Sequence, residues 1–137
     1  MSLIQAIKHY FVSTAIRRAR GQKTAHSSML INVSQYIKKQ DDVYRLVNAQ
    51  VIEYCDQIDC LDDNPAFEKD LESIFLEKIT HSNSIICQMY PEWSDRLDMP
   101  LWTNVREELR FVAAKVRNEV RVIHSSTDDD FDLNTTR

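Results

Sequence analysis

"SMLINVS", residues Ser28–Ser34, is the stretch on which the fold class turns. It is short, apolar at Met29, Leu30, Ile31 and Val33, partly β-branched, and closed by a hydroxyl at each end. A run of that length and content reads as a buried strand, because it is too short for an amphipathic helix of its own. The segments on either side decide what such a strand can pair with.

Before it, residues 2–20 read as one amphipathic helix. Leu3, Ile4, Ile7, Phe11, Ala15 and Arg18 recur at helical spacing, and Ser2 is placed as an N-cap. Arg17, Arg18 and Arg20 fall in the last turn, where cations oppose the helix dipole. Gly21, the only glycine in 137 residues, follows as a left-handed helix stop.

After it, helical periodicity resumes. A helix from about Asp41 to Leu61 carries Val43, Leu46, Val47, Val51, Tyr54 and Ile58 on one face. Pro65 opens the next, marked by Phe67, Leu71, Ile74, Phe75 and Ile79, and Ser82–Met89 reads as a further short helix. Tyr90 to Pro100 is irregular, and a last helix spans about Leu101 to Arg117. "EVRVIHS", Glu119–Ser125, reads as a second strand.

The order predicts an α/β class, mainly helical. Two short strands, about 28–34 and 119–125, would pair in parallel through a right-handed, multi-helix crossover. Residues 1–126 form a single domain in this reading, and 127–137 an acidic flexible tail. A two-stranded parallel sheet is a poor fold alone, so the chain reads as part of a wider sheet.

Composition narrows the function classes. Hydrophobic residues make up 43% and charged residues 28%, as in an ordinary soluble globular protein. One glycine cannot build a P-loop or dinucleotide loop, which needs several close together. No run approaches a membrane span and no signal peptide is evident, so a cytoplasmic protein without membrane partners is expected. Cys55, Cys60 and Cys87 lack any C-x-x-C spacing and read as reduced core thiols, with no metal site. Charge is uneven: residues 1–40 hold seven Lys or Arg and no acid, while 41–137 hold ten basic and 21 acidic residues. Such asymmetry fits either a basic surface for nucleic acid or membrane, or two regions that attract each other.

"AIRRARG" (Ala15–Gly21), "HSSMLINVS" (His26–Ser34) and "VRVIHSSTDDDFD" (Val120–Asp132) together resemble the Z-one domain family. That family is labelled an endonuclease, and its members are similar to superfamily-two helicase-like ATPases of bacterial defence and DNA-processing loci. The resemblance implies part of a RecA-like lobe, with the two predicted strands as lobe strands and about 62–117 as a helical insertion. It covers both strand regions and the helix before the first. The stretch from Pro65 to Trp102 carries no recognisable motif. Asn32 stands where the family more often has histidine, so no role passes to that position. The family's glycine-rich and arginine-bearing segments, and its P-loop lobe, are not in the chain. The implied function is therefore a non-catalytic fragment of an ATPase acting on nucleic acid. It holds no cofactor itself, while ATP and magnesium belong to the parent. The parent's remaining parts are its expected partner, with DNA a second and self-association through unpaired strand edges a third.

Candidate contacts follow from strand ends and charge. Ser34, Ser125 and Ser126 lie beyond the carboxyl ends of the predicted strands, where small hydroxyls either contact phosphates or cap the next element. Arg17, Arg18, Arg20 and Lys23 either track a nucleic-acid backbone or stabilise a helix end. Gly21, His26 and Ser28 belong to the family-like motif and read as structural. No residue is assigned a catalytic role, and the acidic run Asp128–Asp132, with four acids, reads as a solvated linker and not as a cation site. The competing function class is a self-contained helical adaptor that binds another protein through the Trp93–Trp102 region.

Overall fold

The structure, a computed structural model, describes residues 2–23, 28–29, 31, 37–96, 100–117 and 119–121. Four α-helices carry the described fold: α1 (Leu3–Ala19), α2 (Ile37–Asp59), α3 (Pro65–Met89) and α4 (Trp102–Val116). A 3-10 turn, Leu61–Asp63, links α2 to α3, and a 3-10 helix, Pro91–Arg96, follows α3.

The expected strands are corrected by this structure. Among the described residues there is no strand: Ser28, Met29 and Ile31 are coil, as are Glu119, Val120 and Arg121. The remainder of the two segments lies outside the described residues. The α/β class, the two-stranded parallel pairing and the RecA-like lobe with its helical insertion give way to an all-helical core. The physical reason is visible at Ile31 and Val120. Both pack, half-buried, against that helical core. Their apolar side chains cover helices, and so they need no sheet partner. Self-association through strand edges loses its basis in the same way.

Local signals explain the helix ends. Ser2 Oγ accepts from the Gln5 backbone N–H at 3.2 Å, capping α1. At the other end Gly21 has φ +93. Its N–H reaches the Arg18 carbonyl and the Gln22 N–H reaches the Arg17 carbonyl, both at 3.0 Å, which is a Schellman closure. Pro65 occupies the first turn of α3, where its missing N–H costs nothing. α3 runs unbroken to Met89, so Ser82–Met89 is its continuation and not a separate helix. No glycine or proline interrupts residues 66–89.

α1 is the hub. It packs on α2, α3 and α4, and its pairing with α4 is the most extensive between helices. Phe11, Val12, Ala15 and Ile16 meet Val47, Val51, Cys55 and Ile58 of α2, Leu71 and Phe75 of α3, and Val105, Leu109 and Val112 of α4 in one buried cluster. Small Ala15, with no exposure, allows close approach of the neighbouring helices. Aromatic rings extend the core: Phe11 stands edge-on to Tyr54 at 6.4 Å, and Tyr54 stacks on Phe67 at 5.5 Å. Trp102 lies against Phe75 at 5.5 Å while its indole N–H donates to Glu68 Oε2 at 3.2 Å.

Leu3, Ile4 and Leu46, placed on apolar faces by periodicity, are exposed, Leu46 to 70%. No helix among the described residues is long and apolar enough to cross a membrane.

Candidate nucleic-acid interface

The Schellman closure fixes where the basic end of α1 points. Arg17 and Arg18 end the helix, Arg20 is exposed at its cap, and Lys23 follows in the turn. The four cations predicted from sequence are thus brought to one end of α1. They are not equivalent there.

Arg18 turns inward. Its Nε donates to Glu108 Oε2 of α4 at 2.8 Å, and its guanidinium lies 5.3 Å from the Phe111 ring centroid. Another of its nitrogens donates to the Lys23 carbonyl at 3.1 Å, tying down the turn. Lys23 Nζ reaches the other Glu108 oxygen at 3.4 Å. Glu108 is the one buried charged residue among those described, and two cations neutralise it as burial demands. Lys8 is paired too, at 2.5 Å from Asp70 and over the Tyr54 and Phe67 rings. Much of the amino-terminal positive charge therefore serves attraction between the basic and acidic regions.

Arg17 and Arg20 are left. The Arg17 Nε donates to the Gln22 side-chain oxygen at 3.2 Å, and neither arginine pairs with a carboxylate among the described residues. Beside Arg17 a groove opens between α1 and α4, lined from α1 by Tyr10, Thr14 and Arg17, and from α4 by Val112, Lys115 and Val116. Arg18, Gln22 and Glu119 complete its walls.

Of the other predicted contacts, Ser28 is exposed coil near no described strand end. His26, Ser34, Ser125 and Ser126 lie outside the described residues, as does the acidic run from Asp128. Sequence reasoning missed Glu108, Lys115 and the groove. For Glu108 a signal existed: it sits three residues after Val105 and four before Val112, inside the apolar stripe of α4, where a lone acid needs a buried partner. Lys115 gave none, because only the tertiary packing brings it beside Arg17.

Among the described residues, no three His, Cys, Asp or Glu side chains gather to hold a metal ion. The three cysteines are free, and they differ. Cys55 is buried, with its thiol 3.4 Å from the Ala113 carbonyl, Cys60 is exposed and Cys87 is half-buried. Only Cys55 fits the expectation of a core thiol.

With this geometry in place, comparison assigns the class. The chain belongs to the Z1 domain family, whose family model matches residues 2–137. The match includes the helical stretch 65–102 that carries no recognisable motif. No curated protein and no solved structure matches the chain.

Proposed function

We propose that this Z1 domain is a non-catalytic helical scaffold within an ATPase that processes nucleic acid, and that the carboxyl end of α1 faces the nucleic acid. The observation that carries the reading is the sorting of cations at that end. Arg18 and Lys23 are spent on Glu108, whereas Arg17 and Arg20 pair with no carboxylate among the described residues. Guanidinium groups in that state suit phosphodiester oxygens, which they engage by charge-assisted hydrogen bonds. Nucleotide chemistry is assigned to the parent protein, since a chain with one glycine has no P-loop. ATP and magnesium, and the labels of helicase, endonuclease and bacterial defence, belong to that parent in this reading.

Fluorescence anisotropy with a labelled single-stranded oligonucleotide tests it. The full chain should bind, lose affinity as salt rises, and bind several-fold less after Arg17→Ala with Arg20→Ala. Absence of binding at low salt, or hydrolysis of ATP or DNA by this chain alone, would sink the reading.

A second reading, a helical interaction module, is favoured by one surface. Met89 is 65% exposed beyond the core end of α3, and Tyr90 and Trp93 stack there at 4.9 Å with both rings exposed. Trp102, by contrast, is taken up by Phe75 and Glu68. A dimer in sedimentation that dissociates on Met89→Asp would favour this module; a monomer at every concentration would count against self-association as its use.

A further inference from the structure

The groove between α1 and α4 has a use that charge at the helix end does not describe. We infer that it seats a single phosphate group, clasped by Arg17 from α1 and Lys115 from α4.

The groove is small, with a cavity volume of about 20 Å³, and it is open to solvent. Two cations line it without a carboxylate partner among the described residues. One is Arg17, whose Nε is fixed by Gln22 so that its remaining nitrogens are available. The other is Lys115, exposed in the last turn of α4. Arg18 also borders the groove, but Glu108 neutralises it, so it serves as a wall and not as a ligand. Two like charges held on the walls of one groove repel each other, and an anion between them removes that cost. The arginine offers a planar fork and the lysine a point charge, a pairing suited to a tetrahedral phosphate.

Val112, Val116 and the Tyr10 ring give the groove an apolar lining beside the two cations. Glu119 is the single acid on the walls. It opposes an anion, and the two cations outnumber it. The source of the phosphate, a nucleic-acid backbone, rests on the function proposed above; the seat itself does not.

Two-dimensional amide spectra of the full chain, titrated separately with inorganic pyrophosphate and with a short single-stranded oligonucleotide, test the seat. Signals of Thr14, Gln22 and Val116 should move with the oligonucleotide. Lys115→Gln and Arg17→Gln should each weaken binding by about 5- to 10-fold, and Arg110→Gln, an exposed position on α4 outside the groove, should have little effect. All three side chains are at least partly exposed, and thermal melts verify that the variants stay folded. Oligonucleotide binding unchanged in Lys115→Gln, or weakened equally by Arg110→Gln, overturns the seat and leaves the nucleic-acid reading standing. Pyrophosphate shifts at the groove without oligonucleotide binding keep the seat and remove the nucleic acid. Silence with both probes removes both.

Discussion

Arg18 Nε and Glu108 Oε2 lie 2.8 Å apart, joining the last turn of α1 to the middle of α4. The Glu108 side chain is only 11% exposed, so its charge depends on this bond and on the more distant Lys23. Arg18→Ala should therefore destabilise the fold by about 2 kcal/mol, the usual loss when a largely buried charge keeps only a weaker partner. Arg18→Met with Glu108→Met should cost less than the sum of the two single changes, because no orphaned charge remains. Urea denaturation of the four proteins in the cycle measures the difference. Strict additivity would mean that the pair is not coupled.

Gly21 separates conformational strain from crowding. A Cβ built there meets nothing within 4 Å, yet φ is +93. Gly21→Ala should cost about 1–2 kcal/mol through backbone strain alone, and Gly21→Asn should cost less, since asparagine tolerates left-handed geometry. Equal melting temperatures for all three would show that the Schellman closure is not what ends α1.

Thiol chemistry should resolve the cysteines in order of access. Burial pushes the Cys55 thiol up to about 11, outweighing the nearby Arg117. A disulfide-exchange reagent at neutral pH should label Cys60 first, Cys87 more slowly and Cys55 only on unfolding. Peptide mapping after partial labelling reads the order. Because the folded thiol holds its proton longer than an unfolded one near 9, this site contributes stability that declines as pH rises from there toward 11.

His9 acts in the opposite direction. Burial, then the Lys78 ammonium, hold its imidazole below the ordinary 6.5, against weaker opposition from Glu77 and Asp70. The unfolded chain takes up a proton there before the folded one does. Stability from this site is complete above 6.5 and declines as pH falls. His9→Gln should flatten the loss of stability between about pH 7 and 5 in urea melts, whereas an unchanged slope would clear His9 of any part in it.

Two leucines offer a direct comparison of burial. Leu109 has no exposure and Leu46 is 70% exposed. Leu109→Ala should cost roughly 3 kcal/mol and Leu46→Ala less than about 0.5. Comparable midpoints for the two variants would mean that the core is misplaced.

How far these features could be read beforehand depended on where their cause lay. α1 and α4 were legible almost to the residue, because caps, a glycine stop and a 3.6 period act within one segment. The continuation of α3 through Thr80-His81-Ser82-Asn83-Ser84 was harder, since five polar residues interrupt the apolar pattern while the backbone hydrogen bonds run on. The 28–34 and 119–125 segments misled because a short apolar run does not declare what it will cover. Ile31 and Val120 spend their side chains on a helical surface that only the assembled fold provides. The basic end was legible as a cluster. Its division into paired and unpaired cations was not, since Glu108 and Lys115 lie far away along the chain.

The same α1–α4 pairing has a consequence for synthesis. The hub helix is translated before its largest partner, α4, which emerges roughly a hundred residues later. At ordinary elongation speeds that leaves Phe11, Val12 and Ile16 without their final cover for about 5–20 s. During that interval the nascent chain presents an apolar helix to its surroundings, and a chaperone or a second nascent copy can occupy it. Folding yield in cells should thus respond to translation rate and chaperone supply more than the stability of the finished bundle would suggest.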